Sequence, residues 1–498
     1  MRADDERRSY RWVILDDLRA SLVVFLVALP LCVGIAVASG VPAELGIVTG
    51  IVGGIVAGAM PGSSMQVSGP AAGLTVLVAE AVHAYGLAAL GVITLGVGVV
   101  QIVLGLLRLG RWFRAISPSV VRGMLAGIGL VLVLGQLYPL LGATAPASTP
   151  GKVGGLPGAL AAVASTPSAA TSAAVGVATL ALLVCWEWTL PRLRTVPGPL
   201  VAVALAAVAA WTFRLPVATV EVGALFDALI IPDRAALVRL ADVALLGTTL
   251  TIAVIATAES LFSAAAVDRM HDGPGTRYNA ELVAQGAGNL SAGALGAPPM
   301  TAVIVRSSAN VRAGGRTRLS PVLHGVWLLV FAASLPDLLG VIPIPALAAL
   351  LVHAGWKLLD PAGLVRALRA DRAEGAIALV TAVLIGALDL LTGVLAGFAL
   401  AVVRTAWWLS HVEVHWTRTD DDDILVRITG NATFLRLPQV LAKLDRVPPG
   451  ARLRMDLSGL RHLDEAARGA LDAWAADRRR THGAVLTLAP PAPDPAPA

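Results

Sequence analysis

One carboxylate lies deep in a long apolar run, and it is the residue best placed to do chemistry in this chain. The run is LLGTTLTIAVIATAESLFSAAAVDRM, residues 245–270, and the carboxylate is Glu259. A charge inside an apolar span is costly, so such a residue is a functional candidate by default. Thr257 and Ser260 flank it, and Ser263 lies four residues on, along the same helix face. A carboxylate beside hydroxyls can take a proton or a cation next to a bound anion. The plainer reading is a glutamate that bonds a neighbouring helix and only locks the bundle. Glu80 and Asp389 also fall in or beside apolar segments, but at segment ends, where they read as interfacial or structural.

Two short segments begin with helix-starting chemistry, MQVSGPAAGLTVLVAE (65–80) and GALGAPPMTAVIVRSSANV (293–311). In each, Gly and Pro precede a short apolar run, and Pro suits the first turn of a helix because its missing N–H costs nothing there. A helix that starts inside a bilayer must line a cavity, since lipid cannot satisfy its free N–H groups. Those groups and the positive dipole end attract anions. Two such starts facing each other form an anion site with no basic side chain required.

The elements that must hold these groups are membrane spans. The chain is 56% hydrophobic and 14% charged, where a soluble protein is about a quarter charged. The apolar residues sit in runs of roughly 18 to 24, long enough to cross a hydrocarbon core of about 30 Å. About fourteen segments are expected, near 18–38, 42–60, 69–83, 87–108, 120–140, 171–190, 198–213, 240–266, 280–296, 299–311, 319–335, 342–357, 374–388 and 391–410. The two helix-starting segments are the third and the tenth, the spacing of an inverted repeat of seven plus seven.

Charge supports the even count. Arginines follow the even-numbered segments, at Arg108, Arg111, Arg114 and Arg122, at Arg192 and Arg194, at Arg269 and Arg277, at Arg312, Arg316 and Arg318, and at Arg366, Arg369 and Arg372. The stretch 141–170 between the fifth and sixth segments, rich in Ala, Thr, Ser, Pro and Gly, has only Lys152 and reads as a loop on the opposite side. The exception is 214–239, where Arg214, Arg234 and Arg239 accompany Glu221, Asp227 and Asp233. By the positive-inside rule both termini are cytoplasmic. Residues 1–17 are expected to be a cytoplasmic segment too charged for a cleaved leader.

Several classes are excluded. No Lys/Arg block interleaved with aromatics suggests nucleic acid. Cys32 and Cys185 both lie in apolar runs and suit neither a disulfide framework nor a metal site. No cofactor or nucleophile motif appears, so an enzyme is not expected. After His411 the composition turns soluble. ILVRIT, RLRMDLS and AVLTLA read as strands, LPQVLAKLDRV and EAARGALDAWAADRRR as amphipathic helices, which predicts a small α/β domain over 412–490. Residues 491–498 form a Pro-rich tail.

These stretches also carry a family resemblance. QVSGPAAG, AESLFSAAAVDRM, ELVAQGAGNLSAGALGAPPM and NVRAGGRTRLS resemble the SulP anion transporters, a family that includes the eukaryotic sulfate/anion exchangers. MDLSGLRHLDEAARGAL is similar to the STAS domain that ends such chains. The resemblance implies a fourteen-span all-α bundle divided into core and gate domains, with a cytoplasmic α/β STAS domain, in a bacterial inner membrane. It implies a homodimer that moves a small anion by an elevator-like shift. It places the anion near Gly69, Pro70, Ala71 and Ala72 on one side and Met300, Thr301, Ala302 and Val303 on the other, with Glu259 and Ser263 for a coupling ion. Arg306, about one turn beyond Ala302 toward the cytoplasmic end, is the competing source of positive potential. Sodium-coupled bicarbonate carriers of this family tend to have Asp and Thr at the positions of Glu259 and Ser263, and Thr at that of Ile304. Those departures favour H+, or no coupled cation, over Na+. The phosphorylatable Asp-Ser/Thr stretch of related STAS regulators is here Asp464-Glu465-Ala466. The closest look is to bicarbonate-type bacterial members, which makes bicarbonate the expected substrate, with sulfate or a dicarboxylate as alternatives and an anion channel as the rival mechanism.

Overall fold

The computed structural model describes residues 2–489 apart from 111–116, 147, 190–196, 239–241, 336, 389, 419–422, 449–452 and 483–485. Asp389, the arginines at 111, 114, 192, 194 and 239, and the tail 491–498 lie outside the described residues. The chain forms two compact units, 1–397 and 398–498.

Unit 1 is helical. Its elements are α1 (Arg2–Ala38), α2 (Ala43–Val52), β1 (Ser68–Pro70), α3 (Thr75–Tyr85), α4 (Leu87–Leu106), α5 (Pro118–Leu140), α6 (Thr149–Ser165), α7 (Pro167–Thr189), α8 (Gly198–Thr212), α9 (Arg234–Val238), α10 (Val243–Val267), α11 (Tyr278–Ala294), β2 (Met300–Ala302), α12 (Ile304–Arg312), α13 (Leu319–Ser334), α14 (Asp337–Gly340), α15 (Ile344–Leu359), α16 (Pro361–Ala370) and α17 (Arg372–Ala387), with α18 (Leu390–Leu409) running across the division between the units. Six of these helices are long and apolar enough to cross a membrane, over Val13–Ala38, Leu87–Leu106, Pro118–Leu140, Pro167–Trp186, Val243–Val267 and Thr392–Leu409. Small residues let the helices approach closely. Gly98 and Gly286 bring α4 and α11 together, and Gly129 and Gly355 do the same for α5 and α15. Further packing joins α1 to α13 and α10 to α4. The main apolar core runs through α1–α4, α10, α13 and α15, with Leu45, Ile47, Leu90, Ile93 and Ile252 among its fully buried members, and smaller clusters lie beside it.

Alternate connections meet at the same end. Asp16 pairs with Arg316 at 3.0 Å, the Ser63 N–H donates to Glu281 at 2.8 Å, and the Gly110 N–H donates to Asn279 at 3.0 Å. At the other end the Gly223 N–H donates to Glu44 and the Val220 N–H to the Ile342 carbonyl.

Several expectations are corrected. The stretch 141–170 is not a loop. It contains α6 and the first turn of α7. Ser148 accepts from the Gly151 N–H and Pro150 sits in the first turn, so residues that read as loop formers are here a helix start, and Pro157 is carried inside. Residues 2–17 are helical, because α1 runs unbroken from Arg2. Asp17 fixes this extension by accepting from the Arg316 and Thr317 N–H groups and the Thr317 hydroxyl. The helices of the third and tenth expected segments, α3 and α12, start later than expected, because the chain before each forms a strand, and unit 1 is therefore not purely α. The division between units falls at Gly397, inside α18, rather than after His411. Within unit 2 the end of α18 is tied to the soluble sequence, where the Asn431 side chain donates to the Leu409 carbonyl at 2.7 Å.

Unit 2 is the expected α/β domain with one strand more. Its sheet order is β3 (Val412–Arg418), β4 (Ile424–Ala432), β5 (Leu453–Leu463), β6 (Leu486–Ala489), flanked by α19 (Leu437–Leu444) and α20 (Glu465–His482). The β3–β4 pair is antiparallel and the other two are parallel. Ile424, Val426 and Ile428 alternate into a core with Leu453, Met455, Leu444 and Leu471.

Candidate functional site

The two segments singled out by their Gly-Pro starts meet. β1 and β2 pair antiparallel, Ser68 opposite Ala302, Gly69 opposite Thr301 and Pro70 opposite Met300. Gly69, Pro70, Met300, Thr301 and Ala302 therefore belong to an extended crossing, and all are buried. The helices begin just beyond it. A 3-10 turn at Ala72–Leu74 leads into α3, and Val303 precedes α12. The first helical bonds are Leu74 N–H to Ala71 O and Ser307 N–H to Val303 O. The N–H groups of Ala72, Gly73, Ile304 and Val305 thus come before any intrahelical acceptor. These, more than Gly69 or Met300, are the helix-start donors of the site.

Polar side chains from three helices fix the crossing. Asn289 on α11 brackets Met300, accepting its N–H at 2.8 Å and donating to its carbonyl at 3.1 Å. Gln285, one turn earlier, donates to Ser68 Oγ at 2.7 Å. On α10, Ser263 donates to the Ala302 carbonyl at 2.9 Å and Ser260 accepts the Ala302 N–H at 3.3 Å. On α12, Ser307 accepts the Val67 N–H at 2.9 Å, while Val303 N–H bonds Val67 O at 3.0 Å. The Gln and Asn residues at four-residue spacing in ELVAQGAGNL were the sequence signal for this brace, and the sequence reading did not use it.

Glu259 lies where the two starts converge. A Cβ added at Gly73 would stand 2.7 Å from Glu259 Oε1 and 2.8 Å from Oε2, so glycine is what lets the carboxyl reach the start of α3. The Thr301 hydroxyl is another near neighbour of the carboxyl. Oε2 has no partner among the described residues. The carboxyl thus lies close to Gly73, in the turn before α3, and to Thr301 of β2. Ser263 spends its hydroxyl proton on the crossing, so it can offer a cation only its oxygen.

Arg306 brings a basic side chain to the crossing. It is 0% exposed, and it lies against the crossing rather than toward the end of the span. Its Nη2 donates to the Pro70 carbonyl at 3.3 Å, and a Cβ at Gly69 would collide with Nη1. Neither Nε nor Nη1 has an oxygen or nitrogen acceptor among the described residues, and no carboxylate among them pairs with it. A buried guanidinium without a counter-ion is expensive; a bound anion would relieve it.

Beside Thr75, whose hydroxyl is buried and without a partner, a cavity of about 290 Å³ runs along α3 toward Glu80, His83, Gln136 and Lys152. Glu80 lies close enough to Lys152 to act on it electrostatically.

Comparison with known proteins fits this geometry. The model of the sulfate permease family matches residues 14–381. The bicarbonate transporter BicA of Picosynechococcus sp. is 28% identical over 439 residues, 84% of this chain and 74% of that protein. Sulfate transporter 4.1, chloroplastic, of Arabidopsis thaliana is 26% identical over 458 residues, 87% of this chain and 63% of that protein. The solved transmembrane domain of a cyanobacterium bicarbonate transporter BicA superposes with a TM-score of 0.61 at 25% identity, covering 78% of this chain and 97% of that one.

Proposed function

The chain belongs to the sulfate permease family, a family of multi-pass anion transporters, and on that premise we propose that it carries one small oxyanion at the β1–β2 crossing. The observation that carries this reading is the fully buried Arg306, whose free N–H groups lie beside two helix starts and pair with no carboxylate among the described residues. A guanidinium and two dipole ends are matched by an oxyanion. Bicarbonate is the leading substrate, supported by the likeness to BicA over 84% of the chain. Sulfate is the second reading, supported by the likeness to the plastid sulfate transporter.

Glu259 couples a cation to the anion in this reading. When it is ionised, its charge opposes an anion held between the same half-helices; a proton or Na+ bound there removes the opposition. By linkage each ligand then raises the affinity of the other. Glu259 and Ile304 in place of the Asp and Thr of sodium-coupled carriers favour H+.

The fourteen-span architecture draws support from the packing. In a seven-plus-seven repeat, α1 on α13 and α10 on α4 are equivalent contacts, as are the half-helices α3 and α12. An elevator-like movement, a homodimer, an inner-membrane location with cytoplasmic termini, and a STAS identity for 412–490 complete the proposal. The arginine-bearing connections that meet at one end support the orientation. The test is uptake into proteoliposomes with bicarbonate, sulfate and dicarboxylates, with and without Na+ and pH gradients. Accumulation of bicarbonate driven by a pH gradient is expected, and uptake of none of these anions would overturn the reading.

A further inference from the structure

The cavity along α3 is walled mainly by α3, α5 and α6, and α6 turns a charge inward while it leaves apolar residues outside. Lys152 is half-buried in the cavity wall, whereas Val153 beside it is 57% exposed and Leu160 is 54% exposed. Lysine is ordinarily the residue left in water. Lys152 is also the sole Lys or Arg in residues 123–191. The backbone fixes its place. The Tyr138 hydroxyl of α5 donates to the Lys152 carbonyl. A Cβ at Gly155 would stand 2.7 Å from that hydroxyl, so a glycine lets α6 close on α5. The ammonium then lies over Gly135 of α5, with Nζ 3.9 Å from where a Cβ there would stand.

The cavity joins this ammonium to a helix start. One end is Thr75, the first residue of α3, which directly follows the Ala72–Leu74 turn and whose hydroxyl is buried without a partner among the described residues. Buried Gln136 of α5 lines it too, as do Glu80 and His83 further along α3. Ala38, the last residue of α1, also borders the cavity, while Asp16 near the other end of that helix pairs with Arg316. The cavity therefore lies at the end opposite the arginine-bearing connections. Its volume of about 290 Å³, against roughly 30 Å³ per molecule in liquid water, has room for a small oxyanion and several waters.

The geometry points to a second, outer anion site in this cavity, where Lys152 receives the small oxyanion from the face opposite the arginine-bearing connections and the Thr75 hydroxyl passes it on to the crossing. The outer site rests on the anion site proposed at the crossing, which it supplies. A charge in a low-dielectric cleft raises the local concentration of its counter-ion. Glu80, on the wall formed by α3, keeps Lys152 a weak ligand, so that the anion is released inward and not held. A lysine that served only the contact between α5 and α6 would act through its carbonyl, which every substitution of the side chain leaves in place.

The test uses the full-length protein in right-side-out and inverted membrane vesicles, with bicarbonate and sulfate as probes. In Lys152→Cys, a membrane-impermeant thiosulfonate identifies which vesicles present the cavity, with wild type, which carries Cys185, treated in parallel. Lys152→Gln should raise KM about three- to tenfold for anion supplied on that face, Lys152→Glu by more, and Lys152→Arg by little. KM from the other face should stay within about twofold of wild type, and the difference should shrink as ionic strength rises. Should Lys152→Gln not fold, Lys152→Cys allows the charge to be restored after folding. An ethylammonium thiosulfonate should return its KM toward wild type, and an ethylsulfonate one should raise it further. Wild-type KM on both faces in Lys152→Gln and Lys152→Glu would overturn the outer site, as would an equal rise on both faces that tracks a lower melting temperature. Arg306→Ala separates the two levels, since it should raise KM from both faces. If it leaves KM unchanged while Lys152→Gln raises it on one face, the crossing is not the anion site. If it raises KM on both faces while Lys152→Gln matches wild type, the outer site alone is wrong.

Discussion

Arg306→Ala is the most direct perturbation of the proposed site. The side chain is fully buried, makes one hydrogen bond to Pro70 at 3.3 Å, and has two nitrogens without acceptors. Two effects on stability oppose each other. Truncation removes one charge-assisted bond and opens a cavity, but it also removes a buried unpaired charge. The melting temperature should therefore move little. Anion affinity has no such compensation. A guanidinium about 5 Å from a monoanion contributes roughly 3 kcal/mol at an effective dielectric of 20, which is on the order of 150-fold in affinity. A charge-assisted hydrogen bond alone gives about 1.5–3 kcal/mol, or roughly 10- to 150-fold. Arg306→Ala is thus expected to weaken anion binding by about 10- to 150-fold, and Arg306→Lys by less, since it keeps the charge and loses the fork. The assay is equilibrium binding of bicarbonate and sulfate to purified protein by calorimetry. Ala72→Leu, at the partly exposed start of the α3 turn, is the control for the helix-start donors. If Arg306→Ala binds within threefold of wild type while Ala72→Leu abolishes binding, the guanidinium is structural and the two helix starts hold the anion alone.

Other outcomes rest on the same geometry. Glu259→Gln should abolish gradient-driven accumulation while anion exchange at equal concentrations persists, measured as counterflow in proteoliposomes; normal accumulation would make the acid structural. Removing 412–498 takes away no part of the site, so expression or turnover should fall with the order of anion preference unchanged in competition uptake. Asp456 is held below the usual carboxylate range, first by the Ser458 hydroxyl, then by the Ser458 N–H and Arg427. A carboxylate whose folded value is depressed adds stability above its unfolded value, near pH 4, and that stability is lost as pH falls through the folded value. Asp456→Asn in the full chain should therefore lower the melting temperature of unit 2 at pH 7 and flatten its decline below about pH 4.

The sequence carried the spans well where local signals mark the ends. The expected 87–108 and 319–335 segments are helices Leu87–Leu106 and Leu319–Ser334. The first follows Gly86, whose φ of 81° ends one helix and begins the next. It failed at α6, because Pro150, Pro157 and four glycines signal loops locally, while a serine cap and packing on α7 made the segment a helix. It missed β3, a short edge strand defined mainly by its pairing with β4. The surroundings of Arg306 are illegible in the sequence for a different reason. Periodicity gives depth along a span but says nothing about what lies across from it. The guanidinium bonds a carbonyl 236 residues away, and the glycine that admits it, Gly69, is on that distant segment.

The β1–β2 pair has a consequence for how the protein is made. Ser68 and Ala302 belong to opposite halves of the chain, yet their strands pair with each other. When the ribosome has delivered only the first half, β1 has no partner, and lipid offers none. The first half-helix must wait in a provisional arrangement, shielded by neighbouring helices or by water, until β2 is threaded into place. Contacts separated by so much chain form late. Assembly of the crossing is then the step that tells a finished transporter from an unfinished one. Chains cut short before Met300 should remain open to quality-control proteolysis at the 60–75 segment, however well their first spans have inserted.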